Sequence, residues 1–301
     1  MTKKLLLFAF IALFAGSVFY SCKDDKKDDP NDGKIDPSEI ANANLIAYWD
    51  FEDSPQDAIS QRGVATSAVK YVEGRRGKAF KGGEDSYISF DLSATDKLAT
   101  LKEFTVAMWL KTPSIPDGNG LPCFFQLSGN GWEGALSIFL ENLGDNKADS
   151  LHLKGAFGKK GVPWSGQWWN KSHPSMTADK WFHFVINYNK ETSIATLYVN
   201  GDAFKFQTLS AYDTPVRYQD NPGSADNENG APKLGDLALQ LRDSNNKGII
   251  GYWAIKAFYG GDDDWQGFNP GLIDELRVYD KALSDTEVKD LYDAEITQIN
   301  E

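Results

Sequence analysis

Apolar and polar residues alternate along several short segments of the chain, and Gly, Pro, Asn and Asp separate these segments. The segments 104–111 and 181–188 each place four apolar side chains on one face: Phe104, Val106, Met108 and Leu110 in the first, and Phe182, Phe184, Ile186 and Tyr188 in the second. A period of two indicates a strand with one buried face. Because such segments recur from Asn44 onward without helical patterns between them, the sequence predicts an all-β fold, a two-sheet antiparallel sandwich or jelly roll.

Two further motifs mark a hairpin and a helix. Asn200-Gly201 lies between two strand-like runs, and this dipeptide tolerates the positive φ values of a type I′ turn. Near the C-terminus, Ser284 and Glu287 have the spacing of a capping box, which begins a helix. The residues that follow at i, i+3 and i+4 form one apolar stripe that can pack on a sheet: Val288, Leu291 and Tyr292.

The N-terminus has the anatomy of a secretory signal. Lys3 and Lys4 precede an apolar run from 5 to 14, which is too short to cross a bilayer as a helix. Ser21-Cys22 follows and resembles a bacterial lipobox, which implies cleavage before Cys22 and lipidation of its thiol with a chain such as palmitate. The alternative is an ordinary signal peptide that is followed by a chance cysteine.

The stretch after Cys22 contains no apolar side chain up to Gly33, so it is expected to be a disordered, solvated tether. Its first residues, Lys23-Asp24-Asp25, resemble the surface-export signal of lipoproteins in Bacteroidetes. That resemblance implies a protein that is lipid-anchored to the outer membrane and exposed at the cell surface. The chain then divides into three parts: a lipoprotein signal peptide (1–21), a tether (22–43) and one β domain (44–301).

Composition narrows the choice of partners. With 31 Lys and Arg against 43 Asp and Glu, the net charge is −12, which argues against a nucleic-acid partner because phosphate binding depends on basic side chains. The same charge disfavours a polybasic contact with anionic lipid, so the membrane is expected to be contacted through the lipid anchor only. Two cysteines form no disulfide framework, and with Cys22 lipidated we expect Cys123 to be a buried, unreactive thiol.

The order of the predicted elements resembles a known family. A series of segments between Leu45 and Tyr292 is similar, in order, to the LamG-like jelly-roll domains of the concanavalin A-like lectin/glucanase superfamily: 45–52, 77–80, 83–88, 104–109, 181–184, 197–201, 271–279, 282–287 and 291–292. The resemblance implies a jelly roll that ends in a short helix. It does not imply one activity, because sandwiches of this kind serve as lectins, glycanases and adhesion modules.

The sequence lacks the spacings of carboxylates and histidines that are typical of an enzyme active site. Glycanases of this superfamily carry paired carboxylates on one strand, but the pattern Glu-x-Asp-x-x-Glu does not occur in this chain. The histidines, His152, His173 and His183, are far apart and lack metal-ligand spacing. We therefore expect a non-catalytic domain, and an uncharacterised glycoside hydrolase is the less favoured alternative.

The resemblance also implies a structural Ca²⁺ ion. Related jelly rolls hold calcium between the opening strand, an early glycine turn and an aspartate of the closing strand. Carried over to this chain, the ligands are Asp50 or Glu52, a backbone carbonyl near Gly83, and the side chain of Asp274. Carboxylates and carbonyls are the ligands that Ca²⁺ prefers. The alternative is that these carboxylates are solvated, or that Asp274 caps a neighbouring turn.

The nine tryptophans fall into two groups by context. Trp49, Trp109 and Trp181 lie in predicted strands and are assigned to the core, whereas Trp253 suits either the core or a concave face. Others lie in two long stretches between strands, 112–180 and 207–271. Loops of that length are usually functional or carry strands of their own.

An exposed indole offers a flat apolar platform for a sugar ring, and nearby amides can bond its hydroxyls. On this basis the candidate ligand-binding residues are Trp132, Trp164, Gln167, Trp168, Trp169, Trp265 and Asn269. The alternative is that the long loops fold back and bury these rings as small satellite cores.

These features together predict a surface lipoprotein whose jelly-roll domain binds a poly- or oligosaccharide without cleaving it. The alternative partner is a surface protein, bound by an adhesion module through the inserted loops. That alternative would be favoured by one flat aromatic patch with few amides nearby.

Overall fold

Two antiparallel sheets pack face to face in the computed structural model, which confirms the predicted jelly-roll sandwich. The structure describes residues 35–115, 120–131, 134–141, 151–161, 167–203, 233–261 and 263–297, with the backbone alone for 167–172. Strands are numbered in chain order. Sheet A contains, in spatial order, β13 (Asp202–Ala203), β12 (Ile194–Val199), β11 (Phe182–Asn189), β6 (Phe104–Lys111), β16 (Leu272–Tyr279), β4 (Lys78–Lys81) and β3 (Lys70–Glu73), and β1 (Leu45–Trp49) also pairs with β16.

The second sheet has the same number of strands and carries the first helix. Sheet B contains, in spatial order, β10 (Gln167–Ser172), β9 (His152–Phe157), β8 (Leu136–Leu140), β7 (Leu121–Leu127), β14 (Lys247–Ile250), β5 (Tyr87–Asp91) and β2 (Val64–Ser67), and the short β15 (Gln266–Gly267) runs parallel to β7. The other elements are α1 (Ala254–Phe258), α2 (Asp285–Thr297) and the 3-10 turns Asn42–Asn44 and Lys97–Ala99. Within the described residues, no helix is long and apolar enough to cross a membrane.

The main core lies between the inner faces of the two sheets and follows the period of two in the sequence. All eight apolar residues predicted for the buried faces of β6 and β11 belong to it. Phe184 pairs with Met108 and Ile186 pairs with Val106 across these strands, so the two apolar faces stay in register. A slip of one residue would turn the whole set toward solvent.

The predicted hairpin is present, and the inserted stretches contain regular elements. Asn200 and Gly201 have φ values of 53° and 83° and join β12 to β13, which confirms the hairpin. Both inserted stretches carry strands of their own: 112–180 contains β7 to β10, and 207–271 contains β14, α1 and β15.

The tryptophans assigned to the core have different environments. Trp49 and Trp253 are fully buried, and Trp109 is buried on the outer face of sheet A, where its ring stacks on Tyr292 of α2. The assignment of Trp181 to the core is wrong, since its side chain is only half-buried. Its position explains this, because β11 begins one residue later and the ladder with β6 does not include it.

The predicted capping box begins α2. The Glu287 amide donates to Ser284 Oγ at 3.2 Å, and the Ser284 amide donates to Glu287 Oε2 at 2.8 Å. Val288 and Leu291 are buried in a second cluster between α2 and the outer face of sheet A. Ile40 belongs to the same cluster, so the packed part of the chain reaches back into the segment assigned to the tether.

A bulge interrupts β16 at its centre. Asp274 pairs with Trp109 of β6, but Arg277 pairs with Ala107, so β16 has one more residue than its partner over this stretch. Glu275, within the bulge, has a φ of 52°, a left-handed conformation that is costly for a residue other than glycine. The side chains of Glu275 and Arg277, two residues apart along β16, are in contact at this bulge.

A buried cation joins α2 to this bulge. Arg277 Nη2 lies 2.7 Å from Glu275 Oε2, and Arg277 Nη1 bonds to the carboxylate of Glu295 in α2. Glu295 also accepts a hydrogen bond of 2.7 Å from Trp109 Nε1. Burial lowers the pKa of His183, whose Nε2 lies 3.6 Å from Glu295, to about 3, so this imidazole is neutral at pH 7.

Removing the shared cation is expected to destabilise the domain strongly. Arg277→Met leaves the carboxylates of Glu275 and Glu295 buried without it, which should lower the free energy of unfolding by about 3–5 kcal/mol in urea denaturation at neutral pH. Lys289→Met is the matched control, because Lys289 pairs with Asp293 on the exposed side of the same helix, at side-chain exposures of 45% and 49%. The control should cost at most about 1 kcal/mol. Equal losses in the two variants would contradict the role assigned to Arg277.

Candidate functional site

A cleft of about 170 Å³ lies at the loop that carries two exposed aromatic rings. Trp265 and Phe268 expose 36% and 40% of their surface, and few large apolar side chains in the described part of the chain expose as much. Phe268 lines the cleft, and the other lining residues are mostly apolar: Pro113, Ser114, Ile115, Gly120, Gly267 and Pro270. The cleft is therefore an apolar groove with an aromatic edge.

The short pairing of β15 with β7 positions this loop. Gln266 pairs with Leu121, and the Leu121 amide donates to the Trp265 carbonyl at 2.6 Å. Gly120 allows the close approach of the two segments, because a Cβ there would lie 2.4 Å from the Gly267 nitrogen. The cleft therefore depends on a glycine at this position.

The Trp265 ring is held at one edge by a buried neighbour. Its centroid lies 5.2 Å from that of Trp253, with the two planes at 74°. Trp253 Nε1 donates to the Leu121 carbonyl at 2.7 Å, which fixes the supporting ring on sheet B. The exposed part of Trp265 is therefore presented in a defined orientation.

Two buried amide side chains lie in the same loop, one on each side of Gly267 and Phe268 in the sequence. Gln266 is 2% exposed, and neither its Oε1 nor its Nε2 has a hydrogen-bond partner among the described residues. Asn269 is fully buried, and its Oδ1 accepts from the Gly271 amide at 2.8 Å, whereas its Nδ2 has no partner among the described residues. Buried polar groups are normally paired, so this loop carries unused hydrogen-bonding capacity.

The predicted ligand-binding residues do not form one group. Trp265 lies on the loop of the cleft, and Asn269 is buried within the same loop rather than exposed. Gln167, Trp168 and Trp169 lie in β10, the edge strand of sheet B and three strands away from β7, where Trp168 pairs with Gly155. The remaining predicted positions lie outside the described residues: Trp132, Trp164 and the lipidation site Cys22.

Sequence reasoning missed Phe268 and the proline-lined wall of the cleft. Phe268 stands between Gly267 and Asn269 in an irregular segment, so no alternation or helical period marks it as exposed. Pro113 and Ile115 meet it because β6 pairs with β16 and β7 pairs with β15, which joins segments about 150 residues apart in the sequence. The one available signal was a second aromatic residue three positions after Trp265.

A wider depression of about 690 Å³ lies between the β11–β12 hairpin and the start of α2. Its polar groups are largely bonded to each other: Asn187 Nδ2 donates to the Leu283 carbonyl at 2.8 Å, and the Tyr198 hydroxyl donates to Asp285 at 2.7 Å. Tyr198, the aromatic residue among its described lining residues, is only 3% exposed. The depression therefore offers no ring surface for stacking, and the cleft at Phe268 is the better candidate.

The carboxylates predicted to bind calcium have partners within the chain. Asp274 Oδ2 accepts from the amides of Arg75 and Arg76 at 2.8 and 2.9 Å, and its Oδ1 accepts from the Glu275 amide at 2.9 Å. Burial, followed by the charge of Glu275, raises the pKa of Asp274 to about 8, although these three amides oppose the rise. Asp274 therefore caps the turn at 75–76, as the alternative predicted.

The other predicted calcium ligands also engage the turns beside sheet A. Asp50 Oδ1 accepts from the Glu52 amide at 3.2 Å, and Glu52 Oε1 accepts from the Lys78 amide at 2.8 Å. The carbonyl of Gly83 accepts from the Ser86 amide at 3.1 Å. Among the described residues, no group of three or more His, Cys, Asp or Glu side chains is arranged to hold a metal ion. Calcium stays a prediction from the family resemblance.

The titratable groups with large pKa shifts lie away from the cleft. The described lining residues of the cleft include no Asp, Glu, His or Cys. Asp274 and Glu295, whose pKa values burial raises to about 8 and about 7, belong to the bulge and helix on the outer face of sheet A. Cys123 is fully buried as predicted, and burial raises the pKa of its thiol well above the usual value.

The described residues thus form a jelly-roll sandwich of two antiparallel sheets. The family model described as the Concanavalin A-like lectin/glucanases superfamily matches residues 82–238, just over half of the chain. The chain therefore belongs to the Concanavalin A-like lectin/glucanases superfamily. No curated protein matches it in sequence.

Several solved structures with the same fold are binding domains of toxins. The binding domain of Paraclostridial Mosquitocidal Protein 1 has a TM-score of 0.54 and 18% identity, and the match covers 83% of this chain and 52% of that one. The binding domain of Botulinum neurotoxin DC has a TM-score of 0.50 in structures with rat synaptotagmin II (13% identity) and with SialylT (12% identity), and each match covers 84% of this chain and 52% of the other. The chain thus spans about half the length of these structures, and the likeness shows the fold.

Proposed function

We propose that this chain is a surface-anchored lipoprotein whose jelly-roll domain binds a glycan without cleaving it, and that the cleft at Phe268 is a sugar-binding site. The observation that carries the proposal is the pair of exposed rings, Trp265 and Phe268, on one loop beside an apolar cleft. Sugar rings present apolar C–H faces, and aromatic side chains bury such faces at little cost in conformational entropy. A sugar ring would stack on Phe268 and contact Ile115 and Pro270.

Hydrogen-bonding groups for the sugar hydroxyls are present in the same loop. Gln266 has both of its amide atoms unpartnered among the described residues, and Asn269 has its Nδ2 unpartnered. A small outward shift of this loop would present these atoms to a ligand. An unpaired buried amide costs free energy, so a hydroxyl that satisfied it would contribute to affinity.

A protein partner is the alternative that the fold allows. Binding domains of this fold have been solved both with SialylT and with rat synaptotagmin II. The size of the cleft favours a glycan, because about 170 Å³ accommodates a small cyclic group, whereas a specific protein interface buries roughly 800 Å² on each partner.

Binding without cleavage is supported by the lining of the cleft. Retaining and inverting glycosidases both need two carboxyl groups on either side of the scissile bond. The described residues that line the cleft carry no carboxyl group, and the buried Asp274 and Glu295 belong to the packing of sheet A against α2.

The anchor rests on the N-terminal sequence. An apolar run from 5 to 14 followed by Cys22 and a charged tether suits a lipid-anchored protein. The tether would hold the domain away from the membrane, which suits capture of a glycan outside the cell.

The sugar site can be tested with a glycan array and single substitutions. Phe268→Ala should weaken binding up to about tenfold, because a stacked ring contributes roughly 0.5–1.5 kcal/mol. Trp265→Ala should also weaken binding and should lower the melting temperature slightly, since this ring packs on Trp253. Ile59→Ala is the matched control, because Ile59 is an equally exposed apolar residue (44%) outside the cleft, and it should change affinity less than twofold.

Three outcomes would count against the sugar site. Silence of the wild-type chain on every glycan would remove the glycan proposal. Equal effects of Phe268→Ala and Ile59→Ala would remove the cleft as the site. Loss of binding in a variant with Trp168 and Trp169 replaced by alanine, together with unchanged binding in Phe268→Ala, would assign the site to β10 instead.

Calcium is a second proposal that a thermal melt tests. Ca²⁺ bound to the folded state alone should raise the melting temperature at millimolar concentration relative to a chelator, and Asp274→Asn should abolish that rise. Identical melting temperatures with calcium and with chelator would contradict the site at Asp50, Glu52, Gly83 and Asp274.

The lipid anchor predicts a dependence on one cysteine. Cys22→Ser should abolish labelling with palmitate and move the protein from the membrane fraction to the soluble fraction. Cys123→Ser is the control, because Cys123 is buried in the sandwich and should leave labelling unchanged. Retention of the label in Cys22→Ser would contradict lipidation at this residue.

A further inference from the structure

Four aromatic side chains form a patch around α1 that the cleft does not include. The rings of Tyr87 and Tyr252 are nearly parallel, with centroids 6.1 Å apart and an angle of 9° between the planes. Phe258 meets Tyr87 edge-on at 5.7 Å, and Tyr259 lies 6.1 Å from Phe258. All four side chains are partly exposed. These residues are termed the α1 ring patch.

An arginine lies at one end of this patch. The Arg242 guanidinium carbon is 3.8 Å from the centroid of Tyr259, so the guanidinium stacks on the ring face. The Tyr259 hydroxyl donates to the Asn245 carbonyl at 2.6 Å, which fixes the ring. Arg242 Nη1 donates to the Gly129 carbonyl at 3.2 Å, and this bond fixes one edge of the guanidinium. Both the ring and the cation are therefore held in place before any ligand arrives.

The charge of Arg242 is not neutralised within the described part of the chain. Arg62, Arg76 and Arg277 each lie within 4.0 Å of a carboxylate, but Arg242 does not. Arg75 also has no carboxylate within that distance. It lies over Trp109, however, and interacts electrostatically with Asp274 and Glu295. In a chain of net charge −12, Arg242 is thus a stacked and partly exposed arginine with no carboxylate within 4.0 Å among the described residues.

Stacking leaves the in-plane donors of the guanidinium available. The group has five N–H donors in a flat fork that matches a carboxylate, and the face that contacts Tyr259 uses none of them. On the basis that the domain binds glycans, we propose that Arg242 and the α1 ring patch bind a carboxylate-bearing sugar of an acidic glycan. The carboxylate would take the fork of Arg242, and the apolar face of the sugar would pack on Phe258 and Tyr259.

The surrounding charges fix the direction of such a ligand. Lys247 Nζ lies 5.7 Å from the centroid of Phe258, and its partner Asp91 has a side chain that is 82% exposed, so solvent screens this pair. At the other end of the patch, burial raises the pKa of Tyr252, and the nearby charges of Asp85 and Glu84 raise it further. The positive end therefore faces the sugar carboxylate, and the negative end disfavours it.

The test compares an acidic oligosaccharide with its neutral form on the purified full chain. Oligogalacturonate should bind about tenfold more tightly than its methyl ester, and Arg242→Gln should remove most of that preference. Arg242→Lys should keep only part of the preference, because an ammonium group lacks the planar fork. Lys97→Gln is the matched control, since it removes one positive charge from an exposed side chain elsewhere and should change neither affinity more than twofold.

The outcomes separate this inference from the sugar site at Phe268. Equal affinity of the wild type for the acid and the ester, an unchanged preference in Arg242→Gln, or an equal loss in Lys97→Gln would each overturn the role of Arg242. A preference that depends on Arg242 but not on Phe268 would support the α1 ring patch, whereas a preference that depends on Phe268 but not on Arg242 would assign the acidic sugar to the cleft. Melting temperatures of all variants within about 3 °C of the wild type would show that the fold is retained, and Arg242→Lys serves if Arg242→Gln unfolds.

Discussion

The arrangement of sheet A depends on one buried cation, Arg277. A guanidinium that is removed from water is tolerated only where carboxylates and hydrogen-bond acceptors surround it, and Glu275 and Glu295 meet that requirement from a strand and from a helix. The strand is β16, which pairs with β1, β4 and β6 and so joins both halves of the sheet. The charge requirement therefore fixes the position of α2 on the sheet more specifically than its apolar stripe does, since apolar contact alone is not directional. The left-handed conformation of Glu275 in the bulge is tolerated because it delivers one of these two carboxylates.

The outer faces of the two sheets differ in the length of the helix that covers each of them. Among the described residues, the thirteen residues of α2 cover sheet A, whereas the helix on sheet B is α1, with five residues. A short helix covers little surface, so aromatic side chains next to it stay partly exposed on the loop of Trp265 and on the α1 ring patch. Lys256 Nζ of α1 donates to the Gln266 carbonyl at 3.0 Å, so α1 is hydrogen-bonded to the loop that carries Trp265. Both candidate sites therefore depend on the same small element.

Much of this fold could be predicted from the sequence because its signals are local. Alternation marked β6 and β11, Asn200-Gly201 marked a hairpin, and the pair Ser284 and Glu287 marked the start of α2. The candidate site was predictable only in part. Trp265 was visible as an aromatic residue among polar neighbours, but the wall that faces Phe268 comes from a segment about 150 residues earlier in the chain. Asn269 was predicted as a ligand-binding residue, yet packing of the loop against Gly82 buries it, since a Cβ at that glycine would meet the Asn269 carbonyl at 2.0 Å.

The two arginines Arg277 and Arg242 show how the environment assigns a role to one residue type. Each stacks on a tyrosine, at 4.2 Å from the centroid of Tyr48 and at 3.8 Å from that of Tyr259, respectively. Arg277 is buried, and its Nη1 and Nη2 bond to two carboxylates of the same chain, so a ligand does not reach it. Arg242 is partly exposed and donates to one carbonyl among the described residues, so most of its donors remain for a ligand. Because a guanidinium stays charged at any physiological pH, that difference cannot come from protonation. It comes from where the fold places acidic residues: among the described residues no carboxylate lies within 4.0 Å of Arg242, so its guanidinium keeps a position for an anion from outside the chain.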